Sequence, residues 1–183
     1  MPFYNVAETL LSATSACVRV GEAPLTLRHI RPDDEPQLRA AFAGLSRASR
    51  YARFRGLSTL TDAQWRYLTN VDGHDHVALI AVTVVGEIVG VARFVRQGSG
   101  ARDAELAITV ADRFQRKGLG HTLLLSLLPL ARARGIDSLV AYTAADNQGI
   151  ARLLMSHGGR CVSMEQGESE LRLPLHAQEN DAA

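Results

Sequence analysis

The residues best suited to chemistry lie where a strand-like run gives way to a basic loop and two glycines. The run is Ala104-Glu105-Leu106-Ala107-Ile108-Thr109-Val110, and the loop ends in Gln115-Arg116-Lys117-Gly118-Leu119-Gly120. Helical periodicity begins at the glycines. The first N–H groups of a helix have no partner within it, and its dipole is positive at that end, so such a turn can hold an anion. Glycines at 118 and 120 let the backbone come close to phosphate oxygens, and Arg116 and Lys117 add positive charge. The pattern points to a cradle for a pyrophosphate.

Two familiar cradles fit poorly. A P-loop needs Lys and then Ser or Thr after its last glycine, whereas Lys117 precedes Gly118 and His121 follows Gly120. A dinucleotide fingerprint needs a third glycine or an alanine where Leu123 stands, and an acidic residue at the end of the next strand. Asp137 lies before that strand and Asp146 well past it.

The elements that must position this loop can be traced in both directions. Leu25 to Ile30 alternates like a strand, and Pro32-Asp33-Asp34 starts a helix running to about Ala43. An Arg-rich helix over Ser46 to Phe54 follows, then a third beginning after Thr61 and Asp62. His76 to Val84 and Glu87 to Val95 form a hairpin, and Ala104 to Val110 adds a third antiparallel strand. Beyond the loop come a helix from Gly118 to about Arg134, a strand from Ser138 to Thr143 and a helix from Asn147 to His157. A hairpin over Arg160 to Ser163 and Glu168 to Leu173 ends the series. The strands flanking the Gly118 helix are expected to be parallel, joined by a right-handed crossover. Pro129 is expected to kink that helix.

The chain has 183 residues, 46% hydrophobic and 21% charged, which suits a single α/β domain. A formal net charge of +1 gives no field to recruit nucleic acid or an anionic membrane, and no apolar run reaches the roughly 20 residues of a membrane span. Cys17 and Cys161 have neither zinc-site nor disulfide-scaffold spacing, and His74, His76 and His121 show no metal-ligand pattern, so no metal is expected. The histidines are expected to be exposed or to cap helices. No basic leader precedes Arg19, and a cytoplasmic location is expected. The expected boundaries are an N-terminal extension over 1–24 with a joint at Gly21 to Pro24, a domain over 25–175, and a loose tail over 176–183.

Gln115-Arg116-Lys117-Gly118-Leu119-Gly120 resembles the CoA-binding loop of the GNAT N-acetyltransferases: Gln or Arg, two residues, Gly, one residue, then Gly or Ala. The order of elements from Leu25 to Leu173 is similar too. The resemblance implies an α/β (α+β) GNAT fold, a central mixed, mostly antiparallel sheet with helices on both faces, and acetyl-CoA as cosubstrate. It implies that Gln115, Arg116, Lys117, Gly118, Leu119 and Gly120 hold the diphosphate. Ile108 and Val110 would offer main-chain groups to the pantetheine arm, as an amide chain completes an open strand edge. Asn147 occupies the position that contacts the arm in this family, and it also suits a plain helix cap.

Acyl transfer needs a neutral amine, whereas a lysine-like amine starts protonated with a pKa of about 10.4. Glu105 is the candidate base, directly or through water, with partial burial and a raised pKa expected from its apolar strand. Its bland alternative is a solvated strand carboxylate. An N–H near Val110 is a candidate oxyanion donor. The general-acid Tyr common in the superfamily is replaced by Leu154, and Tyr142 is the nearest other phenol.

Leu25 to Pro36, Ser49 to Phe54 and Glu87 to Phe94 resemble bacterial protein lysine acetyltransferases of the Pat type. The resemblance implies an amine acceptor, with a protein lysine and a small-molecule amine both open, and a non-catalytic acyl-CoA-binding module as the alternative. Arg47, Arg50, Arg53 and Arg55 around Tyr51 and Phe54 are either a guide for acidic groups or a solvated face. Trp65 and Tyr67 are expected in the core. Leu125 and Leu128 make the Gly118 helix more apolar than one buried face requires, which a homodimer contact or cover from the N-terminal extension would explain.

Overall fold

The computed structural model describes residues 15–54, 59–98 and 100–175. Eight strands form one sheet: β1 (Ser15–Val20), β2 (Ala23–His29), β3 (His76–Thr83), β4 (Ile88–Arg96), β5 (Asp103–Val110), β6 (Ser138–Ala144), β7 (Arg160–Glu165) and β8 (Glu168–Pro174). Their spatial order is β1-β2-β3-β4-β5-β6-β8-β7. Neighbours are antiparallel except β5 and β6, which are parallel as expected for strands joined by a helix.

Among the described residues five α-helices flank the sheet: α1 (Glu35–Ala43), α2 (Arg47–Phe54), α3 (Asp62–Thr69), α4 (Leu119–Arg132) and α5 (Gln148–Met155). Their starts follow local chemistry. Thr61 and Gln64 exchange hydrogen bonds between side chain and backbone, a capping box that opens α3. On one face Leu123, Leu124 and Leu127 of α4 pack with Leu79, Phe94 and Leu139 of the sheet. On the other, Leu38 and Trp65 pack on Ile80 and Val91. Covered on both sides, β3 is buried from His76 to Val82, which explains its unbroken apolar run.

Gly90 of β4 sets how closely α4 approaches. A Cβ there would lie 2.9 Å from Leu123 Cδ1 and 3.0 Å from Leu119 Cδ2, so a larger residue would force those two leucine side chains to shift.

Several expectations need correction. In place of a joint at Gly21 to Pro24 there is a hairpin: Gly21-Glu22 is the turn, Ala23 and Pro24 already belong to β2, and residues 15–20 pair with β2 as the outermost strand of the same sheet. Residues 1–14 and the tail 176–183 lie outside the described residues. Pro129, where a kink is expected, lies inside α4, and the helix continues past it to Arg132. The carbonyl left without its usual donor belongs to Leu125, which is 42% exposed, so water can satisfy it. Leu128 is buried while Leu125 is not, so the helix shows solvent one apolar residue of the pair. Trp65 is in the core, but Tyr67 is 53% exposed and stacks against His76. His76 is buried rather than exposed, with Nε2 3.1 Å from the Arg93 guanidinium.

Candidate functional site

Strands β5 and β6 pair only from Asp103 to Glu105 and from Ser138 to Val140. Past that point they part, and a cleft of about 680 Å³ opens between the end of β5, the start of α4, α5 and α2. Ile108 and Val110 line one wall. On the other side of β5 the ladder with β4 continues to Gly90 and Val110, and the Ala111 N–H donates to the Val89 carbonyl at 2.9 Å. Main-chain groups alternate in direction along an antiparallel strand. Those of Ala107 and Thr109 therefore turn to β4, and those of Ile108 and Val110 turn to the opening.

The turn entering α4 carries unusual backbone geometry. Arg116 has φ 56° and Gly118 has φ 92°, with Lys117 between them outside the left-handed region. Such alternation gathers successive N–H groups into a concave nest that suits an anion, and the free N–H groups of the first turn of α4 lie beside it. Gly118 is the N-cap, and its positive φ is the reason a glycine stands there.

Gln115, Arg116, Gly118 and Gly120 line the cleft, as does Asn147 across from them. Lys117 and Leu119 do not. Lys117 lies over the Phe114 ring, its Nζ 5.9 Å from the centroid. Leu119 is fully buried against Gly90, so its side chain anchors the helix and only its N–H faces the turn. Asn147 is no side-chain cap: it stands at the N-cap of α5, but its Nδ2 donates to Thr143 Oγ1 at 2.9 Å.

Ala48, Ser49 and Ala52 of α2, His121 of α4 and Arg152 of α5 also line the cleft, and the sequence did not single them out for it. Ser49 is tied to the turn. Asp112 accepts from the Ser46 N–H at 2.9 Å, from Ser46 Oγ at 2.7 Å and from Ser49 Oγ at 2.7 Å. Gln115 Nε2 donates to Ser49 Oγ at 2.9 Å and to the Val110 carbonyl at 3.0 Å. The Ser46 N–H, then the serine hydroxyls, hold the Asp112 carboxyl below the usual carboxylate range. The Val110 carbonyl thus accepts one bond from Gln115, while the Val110 N–H and the main-chain groups of Ile108 turn to the opening. The only signal in the sequence was a serine at the usual capping position before an Arg-rich helix.

Glu105 stands at the root of the splay, paired with Val95 and Val140, and does not line the cleft. It is exposed, contrary to the expected partial burial, because its side chain shares the face that α1 and α3 leave uncovered beyond β4. Tyr142 of β6, 44% exposed, shares that face. Leu154 is fully buried. Of the Arg-rich segment, Arg47 and Tyr51 are exposed and Arg50 is half-buried, while Arg55 and the side chains of Arg53 and Phe54 lie outside the described residues. Among the described residues no group of three or more His, Cys, Asp or Glu is placed to hold a metal ion, and no helix is long and apolar enough to cross a membrane.

Comparison with known proteins agrees with this geometry. Residues 24–160 match the model of the acetyltransferase (GNAT) domain family. The chain is 32% identical over 151 residues to acetyltransferase Pat of Mycolicibacterium smegmatis, covering 82% of this chain and 45% of that one. It thus spans about half the length of that relative. The GNAT domain of S. lividans PAT superposes with a TM-score of 0.80 at 29% identity, over 87% of this chain and 96% of that one. The fold is shared at 23% identity with yncA of Salmonella typhimurium, solved with its cofactor acetyl-CoA, at a TM-score of 0.66 over 87% of this chain and 99% of that one. With a family match over 137 residues, 24 through 160, and a splayed sheet whose open edge ends at a glycine-led helix start, the chain belongs to the GNAT acetyltransferase family.

Proposed function

We propose that the protein moves the acetyl group of acetyl-CoA to a primary amine by direct attack. The observation that carries the proposal is the continuity of the open β5 edge with the nest at Arg116 to Gly118, along one cleft. N–H groups of the turn and the Arg116 side chain would hold the diphosphate, and Ile108 and Val110 would bond the amides of the pantetheine arm. The Val110 N–H faces the place where the oxyanion would form. The donor supplies an activated thioester, and the chain's own groups place it and manage the amine's proton.

Glu105 is the base in this reading. Outside the cleft wall and exposed, it would take the proton through water rather than by direct contact. The amine nitrogen bonds to the acyl carbon as the C–S bond breaks, and the departing thiolate, with a thiol pKa near 8.5, needs no dedicated acid. Leu154 cannot supply one.

A protein lysine is the acceptor we favour. The similarity to Pat supports it, and so does the face shared by Glu105 and Tyr142, which is open rather than enclosed, as a lysine on a folded surface requires. A small-molecule amine is the alternative. The test is release of free thiol from acetyl-CoA with a panel of protein and small amines. Glu105→Gln is expected to lower kcat by about 100-fold or more, with CoA affinity nearly unchanged and the loss easing at high pH, where the amine deprotonates unaided. A wild-type rate in that variant would remove Glu105 from the mechanism. Tight acetyl-CoA binding with no thiol release from any acceptor would favour a non-catalytic binding module.

A further inference from the structure

A second cavity, of about 50 Å³, lies on the other side of β5, between that strand, β4 and helices α1 and α3. Leu38, Ala41, Phe42 and Trp65 form its helical wall, and Ala107 and Thr109 form part of its floor. Arg93, the one charged residue among the described residues that line it, donates to the Leu68 carbonyl at 3.1 Å. Thr109 lines both this cavity and the cleft, so one residue stands between the two spaces.

Protein interiors are close-packed, and a void of this kind follows from small residues opposite large ones. Ala107 and Thr109 occupy successive positions on one face of β5, and Ala111 follows just past the strand's end. A site lined this way offers water few partners, so it suits an apolar guest, which recovers the dispersion contacts the lining lacks. By the measure in which one water needs about 10–15 Å³, there is room for about three or four groups of methylene size.

We propose that this cavity receives the carbon chain of an acyl group longer than acetyl, making the protein an acyltransferase that accepts short straight-chain acyl-CoA donors of about three to five carbons. The inference rests on the proposed placement of the donor along the β5 edge. From there an acyl chain that passes Thr109 enters the cavity, whereas the acetyl methyl stops short of it. The transfer is unchanged in its balance: the amine nitrogen gains the acyl carbon, the C–S bond breaks, and the amine's proton and the thiolate leave as free CoA.

The experiment compares acetyl-, propionyl-, butyryl- and octanoyl-CoA with one acceptor, in the wild type and in Ala41→Phe, which fills the cavity from its α1 wall. Butyryl-CoA is expected to match acetyl-CoA within threefold in kcat/KM, with octanoyl-CoA at least tenfold worse. Ala41→Phe should cost butyryl-CoA at least tenfold and leave acetyl-CoA within twofold. Melting temperature gives a readout independent of turnover: butyryl-CoA should raise it more than CoA does, and Ala41→Phe should remove that increment. Ala41→Leu serves in the same way if Phe prevents folding. The proposal is overturned if acetyl-CoA is used but butyryl-CoA is 100-fold poorer in the wild type, or if the cavity-filling variant affects both donors equally. If no acyl-CoA, acetyl included, shifts the melting temperature or releases thiol, the donor site itself is misassigned and both readings fall.

Discussion

Gly118 concentrates the question of the site in a single dihedral angle. No atom lies within 4 Å of where its Cβ would be, so a side chain there meets open space, yet its φ of 92° is one that L-residues adopt at a cost of about 1–2 kcal/mol. Gly118→Val should therefore fold, with a modest loss of stability, while its turn relaxes away from the left-handed form and disperses the N–H nest. Calorimetric titration is expected to show CoA affinity reduced by about 100-fold or more beside a near-native circular dichroism spectrum. Unchanged affinity would mean that the diphosphate is held elsewhere. The residue type was legible from the motif, since glycine at a helix start is a local signal. The fate of its neighbours was not: Lys117 turns to Phe114 and Leu119 enters the core, because a six-residue pattern does not say which way each side chain faces.

At the scale of elements, the notable connection is between α2 and the cradle. Asp112 gathers the Ser46 N–H and two serine hydroxyls at the start of α2, and Gln115 joins Ser49 to the end of β5. This network fixes one wall of the cleft relative to another across about 65 residues of sequence. Asp112→Ala removes an acceptor that serves three donors in a solvent-exposed place, so a loss of about 1–2 kcal/mol is expected. Its more telling effect should be on donor binding, with the KM for acetyl-CoA rising severalfold while kcat holds, as measured by thiol release. A fall in kcat with KM unchanged would show that α2 serves the acceptor instead. Periodicity revealed α2 as a helix but not its partner, because the choice of Asp112 depends on a tertiary meeting of distant segments.

For the molecule as a whole, His76 ties stability to pH. Burial, reinforced by the Arg93 guanidinium and partly offset by Asp72, brings its imidazole down to about 4 from the usual 6.5. The groups around it are Arg93 of β4, the exposed Tyr67 of α3 and Asp72, which accepts the His76 N–H at 2.9 Å. Between pH 6.5 and about 4 the unfolded chain binds a proton that the folded chain refuses, so this group's contribution is full above pH 6.5 and falls as the medium is acidified through that window. The urea midpoint is expected to drop between pH 7 and pH 5, and the drop should be smaller in His76→Asn. Equal drops in the two proteins would assign the slope to other groups.

The sequence by itself determined the strand runs of β3, β4 and β5, the helix-start signals at Pro32 and Thr61, and the glycine-led turn before α4, since β-branched runs, caps and left-handed turns are settled within a few residues. Tertiary structure alone decided that residues 15–20 are a strand of the same sheet, that β8 lies between β6 and β7, and that Glu105 is left exposed. It also decided that β5 and β6 part after three paired positions, which creates the cleft. Each of these depends on which surfaces meet across the sheet, and burial, pairing and partnership between distant segments are properties of the packed chain rather than of any local stretch of it.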